Sequence, residues 1–184
     1  MRKMWMARDG NVEPVTPPVP SDTSRSSPEV TCRCVKSLSR GHWHEGHWVF
    51  GGTKRTSRRC FMIEVQDRRA QTLEPLIQRH ILPGSHIISD GWASYANISN
   101  IAHGIYMHSV VNHSLNFVDP QDANIHTQNI ENMWMLAKRK LKRQFGTSRE
   151  LFPSYLQEFV FRNACDSETM FTKFLAALAV NYNI

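Results

Sequence analysis

The stretch Pro83-Gly-Ser-His-Ile-Ile-Ser-Asp90-Gly-Trp-Ala-Ser-Tyr95 decides the fold class. Pro83-Gly84 is a turn signal, and the apolar pair Ile87-Ile88 is typical of a short strand that is covered on both faces. Asp90 then places a carboxylate where that strand ends. Ligands of open α/β sheets collect at the carboxyl ends of strands, so Asp90 is a site candidate by position. The alternative is that Asp90 only caps the following turn, since aspartate is a preferred cap residue.

The segments around this strand predict an α/β domain. Residues 48–50 and 60–65 are apolar runs that predict two antiparallel strands, with Gly51-Gly52 read as the break that ends the first. Residues 72–82 predict a helix, and residues 108–113 predict a further strand. The polar loop between the first two strands carries Lys54, Arg55, Arg58 and Arg59. Contact with phosphate and plain solubility remain equal alternatives for that loop.

Composition narrows the class of partner. The chain has 184 residues, of which 41% are hydrophobic, enough for a packed core. Its net charge of +6 and pI near 9.4 favour a polyanionic partner. No apolar run is long enough to span a membrane, so no membrane partner is expected. Four cysteines are too few for a secreted disulfide framework, which favours a reducing intracellular setting.

The chain divides into three parts. Residues 1–40 are rich in Pro and Ser and predict a disordered arm, residues 41–165 form the folded domain, and residues 166–184 predict a C-terminal helical tail. Cys32 and Cys34 precede a histidine cluster that consists of His42, His44 and His47. Zinc is one interpretation, but the spacing fits no common finger and favours histidines in a surface loop.

The longest helix signal runs from Gln128 to Phe145. An apolar stripe recurs at helical spacing, and Glu131, Met135, Lys138 and Lys142 fall on another face. The second half of the helix is strongly basic, beyond what the helix dipole favours, and predicts a phosphate-contacting face. The cations of this face are Lys138, Arg139, Lys140, Lys142 and Arg143.

Asp90 at a strand end and Glu131 at a helix start make a pair of carboxylates that can hold a divalent metal ion. Mg²⁺ prefers a few carboxylates and completes its octahedron with phosphate oxygens of the substrate. Two such ions would activate an attacking oxygen and stabilise a leaving oxygen during phosphodiester cleavage. The spacing alone is weak support, because any chain offers many acidic pairs.

A series of motifs carries a family resemblance. The series is Trp48-Val-Phe-Gly-Gly52, Arg59-Cys-Phe61, Val65-Gln-Asp-Arg68, Ile81-Leu-Pro-Gly-Ser85, Ile87-Ile-Ser-Asp-Gly-Trp92, Val111-Asn-His-Ser114, Phe117-Val-Asp-Pro120, His126-Thr-Gln-Asn-Ile-Glu131 and Lys138-Arg-Lys140. In this order the motifs resemble the ISXO-type insertion-sequence transposases, relatives of the eukaryotic Merlin DNA transposons. The resemblance runs from about Gly46 to Arg162.

The resemblance implies a function and a site. It implies an RNase H-like mixed sheet flanked by helices and a triad of acids, called DDE, that binds two Mg²⁺ or Mn²⁺ ions and cuts and joins DNA. Asp90 matches the second acid of the triad and Glu131 the third, so both are expected metal ligands and catalytic residues. Asn112, His113 and Asp119 match further motifs of the family and are expected to support the site.

The chain also departs from the family pattern. The family's first acid lies on the first strand in an Ile-Asp-Glu-like motif, and no such motif stands here: Asp9 and Asp22 are the only aspartates before Asp67. The departure predicts an N-terminally truncated domain that lacks the first, central strand and one metal ligand. Its expected function is a transposase-derived DNA-binding domain with impaired catalysis.

Two hypotheses stay open on whether the chain is an enzyme. One is a DDE transposase that is active at full length, which an Ile-Asp-Glu segment encoded in frame upstream would restore. The other is a non-catalytic DNA-binding or adaptor protein adopted by its host. Both expect double-stranded DNA as partner, at transposon ends and target sites. Both allow a homo-oligomer and place the protein in the nucleus, otherwise in the cytoplasm.

Overall fold

The computed structural model describes residues 27–36, 47–112, 118–143 and 148–182 of the chain. Five strands form one sheet: β1 (Glu29–Lys36), β2 (Trp48–Lys54), β3 (Cys60–Val65), β4 (His86–Asp90) and β5 (Met107–Val111). Four α-helices accompany them: α1 (Ala70–His80), α2 (Gln128–Arg143), α3 (Phe152–Ala164) and α4 (Met170–Tyr182). Two short 3-10 helices, Ala93–Tyr95 and Ile98–His103, lie between β4 and β5.

The sheet is mixed and has β1 at its centre, in the order β3-β2-β1-β4-β5. β2 is antiparallel to both β1 and β3, whereas β4 is parallel to both β1 and β5. This arrangement confirms the predicted α/β class and the predicted mixed sheet flanked by helices. Within the described residues, no helix is both long and apolar enough to cross a membrane.

The prediction that the first, central strand is absent is wrong. Residues 29–36, which were assigned to the disordered arm, form β1 and pair on both sides, with β2 and with β4. Val30, Cys32 and Cys34 alternate along the strand and pack into one core. That alternation is the signature of a strand, and the Pro-rich segment just before it obscured the signal. The rest of the predicted arm, residues 1–26, lies outside the described residues.

Apolar residues cover both faces of the sheet. On one face, α1 and the 3-10 helices pack against the sheet through a cluster that includes Leu73, Ile77, Tyr95 and Ile98. On the other face, the cluster is supplied by α2 and α3, with Ile130, Trp134, Phe152 and Leu156 among its members. Helix α2 is thereby fixed across the sheet with one side buried and its other side exposed.

The Gly51-Gly52 pair lies inside β2 and does not end it, contrary to the prediction of a break. A Cβ atom on Gly51 would stand 3.0 Å from the ring of Trp134 on α2 and 3.1 Å from the carbonyl oxygen of Phe61. A Cβ on Gly52 would overlap the Phe61 ring at 2.5 Å. The glycines therefore let a helix and a neighbouring ring approach the strand closely.

Gly51→Ala is expected to lower the free energy of unfolding by about 1–3 kcal/mol, because the added methyl group overpacks the α2 interface. Denaturant unfolding measures the change. Gly91→Ala is the matched control, since a Cβ there meets its nearest neighbour, Val110, at 3.8 Å, an ordinary contact. Equal stabilities of the two variants would contradict the close-approach explanation.

Candidate functional site

The parallel register of β1 and β4 places Arg33 beside Asp90. Cys32 pairs with Ser89, so the next residues of the two strands, Arg33 and Asp90, neighbour each other across the ladder. Side chains alternate along a strand, and because Cys32 and Cys34 enter one core, Arg33 points to the opposite face, toward α2. The Nε atom of Arg33 lies 3.1 Å from Oδ2 of Asp90.

Glu131, in the first turn of α2, reaches the same guanidinium. Nη1 of Arg33 lies 3.0 Å from Oε1 of Glu131. The hydroxyl of Thr127, a buried residue, also lies 3.4 Å from this oxygen. One cation therefore bridges the two predicted acids. The structure brings Asp90 and Glu131 to one place, as the family resemblance implied, and it does so around an arginine.

The ion pairs are partly exposed to solvent. The exposed fractions of the side chains are 32% for Arg33, 18% for Asp90 and 38% for Glu131. Solvent screening keeps such pairs modest in energy. One planar guanidinium that hydrogen-bonds to Glu131 and pairs with Asp90 nevertheless holds the two carboxylates in a defined arrangement. Oδ1 of Asp90 accepts a hydrogen bond from the Trp92 N–H at 3.4 Å. This is the contact expected if Asp90 caps the turn that follows β4, the alternative to a site role. The cap and the ion pair coexist on the two oxygens of one carboxylate.

The residues at this position do not fit the divalent ion that the resemblance implied for Asp90 and Glu131. Mg²⁺ and Mn²⁺ need several oxygen ligands around one point. Here a permanently charged guanidinium occupies the space between the two carboxylates. Among the residues that the structure describes, no three His, Cys, Asp or Glu side chains are grouped so that they could hold a metal ion.

The predicted supporting residues have different positions. Asn112 is exposed and directly follows β5, whose last residue, Val111, pairs with Asp90. Asp119 accepts hydrogen bonds at Oδ1 from the backbone N–H groups of Gln121, at 2.8 Å, and Asp122, which gives it a turn-forming role. His113 lies outside the described residues. The supporting role of all three remains a prediction.

The zinc interpretation of the Cys/His cluster has no support in the described part of the chain. Cys32 and Cys34 are core residues of β1. Burial raises the pKa of both thiols, that of Cys34 to about 12, and the charge of Asp90 adds to the effect. Protonated thiols are poor metal ligands. His47 pairs with Glu64 and stacks on Phe152, whereas His42 and His44 lie outside the described residues.

A basic groove of about 550 Å³ opens beside the ion-paired acids. It runs along the exposed side of α2, and its lining residues are Arg33, Val35, Glu131, Trp134, Met135, Lys138, Arg139 and Lys142. Four cations and a single carboxylate thus line the groove. Three of the five cations predicted to contact DNA, namely Lys138, Arg139 and Lys142, lie there, and Arg143 is exposed at the end of the same helix.

Lys140 differs from the other four predicted cations. Its Nζ lies 3.0 Å from Oε1 of Glu158 on α3. Burial alone would raise the pKa of Glu158, but hydrogen bonds from Lys140 and Arg162 outweigh it and lower that pKa. Lys140 follows Lys138 by two residues, which is more than half a turn around the helix. It therefore contacts α3, and its observed contact is structural.

The cations of the loop between β2 and β3 also differ in whether they contact the rest of the fold. The guanidinium of Arg55 is largely buried and binds Glu29, the carbonyl oxygen of Asn124 and the ring of His126. Arg58 and Arg59 are exposed and remain free to meet phosphate or water. Arg55 therefore has a structural role. Contact with phosphate and plain solubility remain the two alternatives for Arg58 and Arg59.

Arg33 is the residue of the candidate site that the sequence did not predict. It lies between Cys32 and Cys34, whose pattern suggested zinc ligands. The signal that could have found it is the alternation from Val30 to Val35, since two cysteines on one face of a strand place the intervening arginine on the other. The contact with Glu131 could not be read in this way, because it joins residues far apart in the sequence.

Comparisons with known proteins bear on the family and on the fold. A family model described as "ISXO2-like transposase domain" matches residues 33–164. A chain of the simian T-cell lymphotropic virus intasome, solved in complex with PP2A regulatory subunit B56 gamma, has a TM-score of 0.50 and 10% identity; the match covers 73% of this chain and 47% of that one. This chain therefore spans about half of that relative.

The integrase catalytic core domain of HTLV-2, solved in complex with magnesium in a dimeric form, has a TM-score of 0.46 and 10% identity. That match covers 73% of this chain and 86% of the core domain. None of the curated proteins matches this chain significantly. At this identity, the intasome likeness shows the fold alone, which is the RNase H-like fold of integrase cores.

Proposed function

This chain belongs to the family of ISXO2-like transposase domains, and from that premise we propose that it is a transposase-derived domain that binds double-stranded DNA without cleaving it. The observation that carries the proposal is the position of Arg33. The family resemblance expects a carboxylate on the first strand, and this strand instead presents an arginine to Asp90 and Glu131.

The charge of the groove supports DNA as the partner. Lys138, Arg139 and Lys142 line it, beside an Arg33 whose charge is paired with Asp90 and Glu131. The chain as a whole carries a net charge of +6. Cations aligned along one helix suit the regular phosphates of a duplex, and neutralising those phosphates releases bound counterions. Contact of these cations with the phosphate backbone is the expected mode.

The pairing of the acids supports the loss of cleavage. Two-metal phosphodiester chemistry needs cations that contact both the attacking and the leaving oxygen. Asp90 and Glu131 each already have one oxygen bound to Arg33. Since positioned charge supplies most of the rate in such chemistry, a site that does not admit the metal ions should be inert.

The active-transposase hypothesis would need an upstream segment to supply the first acid on a strand of its own. β1 already lies between β2 and β4 and pairs with both. An added Ile-Asp-Glu segment would therefore have to displace residues 29–36 from the centre of the sheet. The non-catalytic hypothesis needs no such exchange. With DNA as partner, we propose that the protein acts in the nucleus, otherwise in the cytoplasm, and the proposal allows a homo-oligomer.

Binding to a fluorescent duplex, followed by anisotropy at increasing salt, tests the proposal. The logarithm of the binding constant is expected to fall linearly with the logarithm of salt, with a slope of about −3 that corresponds to three or four phosphate contacts. Incubation of the same duplex with Mg²⁺ or Mn²⁺ is expected to yield no cleavage product. Salt-insensitive binding would contradict the DNA partner. A metal-dependent product that Asp90→Ala abolishes would contradict the loss of cleavage.

A further inference from the structure

We infer that Arg33 is the resident cation of this site, and that its guanidinium permanently fills the place between Asp90 and Glu131 that a divalent metal ion would need. The inference concerns the same site as the proposed function, and it rests on the proposal that the domain is derived from a transposase. Its test measures cation binding and thermal stability, and the salt dependence of DNA binding is independent of the outcome.

The geometry of the three side chains is that of two anions held by one cation. The contacts are 3.1 Å to Asp90 and 3.0 Å to Glu131, and they use two different nitrogens of the guanidinium. The carboxylates come from separate elements, one from the end of β4 and one from the first turn of α2. A guanidinium can make this bridge because its donors are arranged in a rigid planar fork.

The fold holds Arg33 in this position. The flanking residues Cys32 and Cys34 are buried in the core on the other face, so β1 cannot rotate to remove the side chain from the site without exposing them. Gly51, which pairs with Arg33 on β2, presents no side chain of its own.

A divalent ion could not join this arrangement. It would meet the positive charge of Arg33 at short range, and one oxygen of each carboxylate is already engaged. The groove cations Lys138, Arg139 and Lys142 add further repulsion. The carboxylates consequently act as anchors that join α2 to β4 through Arg33, and the cation they hold is part of the chain.

Replacement of Arg33 by an acid should convert the site from one that excludes a divalent ion to one that binds it. Arg33→Asp would remove the resident cation and supply a third carboxylate, whereas Arg33→Gln would only remove the cation. Thermal unfolding is followed in EDTA and in saturating Mn²⁺, and free Mn²⁺ is counted by its paramagnetic resonance signal. The Tm of the wild type is expected to be the same in both media. That of Arg33→Asp should be lower in EDTA and rise by about 5–10 °C with Mn²⁺.

Arg33→Gln is expected to have a lower Tm than the wild type in both media and no response to Mn²⁺. Two results would overturn the inference. One is Mn²⁺ binding by the wild type that Asp90→Asn abolishes. The other is a folded Arg33→Asp variant whose Tm and Mn²⁺ count match those of Arg33→Gln. If Arg33→Asp fails to fold, the wild-type titration with its Asp90→Asn control still decides between a resident cation and a metal site.

Discussion

Lys138→Glu combined with Lys142→Glu is expected to weaken binding to duplex DNA by about 10- to 100-fold at moderate salt, and to reduce the salt slope by about 2. Both lysines line the groove along α2. The substitutions remove two phosphate contacts and place two new carboxylates on the side of the helix that already carries Glu131. Anisotropy titrations at several salt concentrations measure both quantities.

Arg149→Glu combined with Lys173→Glu is the matched control, because it changes the net charge equally. Both residues are exposed, and neither lines the groove. If DNA binds to the groove, this control should retain most of the affinity for DNA. It should show only the weak loss that a change in net charge produces. An equal loss in both double variants would mean that total charge attracts DNA and would remove the groove from the proposal.

Trp134→Ala is expected to lower the free energy of unfolding by about 3–5 kcal/mol, the range for truncation of a large buried aromatic side chain. Trp134 is 6% exposed and packs in the core beneath α2 together with Ile130 and Met133. Its ring also lies close to Gly51 of β2. The loss should loosen α2 and with it the groove, so DNA affinity should fall with stability. Denaturant unfolding gives the first quantity and anisotropy the second.

Trp134→Phe separates ring packing from the polar part of the indole. The indole N–H is buried and has no hydrogen-bond partner within the described residues. Removing an unsatisfied donor offsets part of the area lost on going to the smaller ring. The Phe variant is therefore expected to cost less than about 1.5 kcal/mol. A cost as large as that of Trp134→Ala would show that the N–H makes a contact the packing explanation omits.

Helix α2 shows how far the sequence alone could predict this protein. The spacing of Glu131, Met135, Lys138 and Lys142 predicted one common face, and all four line the groove. The prediction succeeded because helical periodicity is local and can be counted along the chain. Lys140 was grouped with its neighbours by charge, although its angular position on the helix directs it to Glu158 on α3.

The central strand shows the limit of that reasoning. β1 follows a Pro-rich segment and carries a charged residue, Arg33, in its middle, so charge and composition argued against a buried strand. Its identity depends on pairing with β2 and β4, and the parallel partner lies far along the chain. Pairing between distant segments leaves almost no signal in the local sequence. The role of Arg33 follows from that pairing and could be recognised only once β1, β4 and α2 were placed together.

The central position of β1 has a consequence for the order in which the chain folds. The β2–β3 hairpin joins neighbouring segments and closes a short loop, so it can form early. The contact of β1 with β4 is expected to form later, because it closes a much longer loop. Until that contact forms, β1 and β4 each expose an unpaired strand edge. Partly folded chains with exposed strand edges associate with one another. Refolding yield should therefore respond more steeply to protein concentration than native stability does.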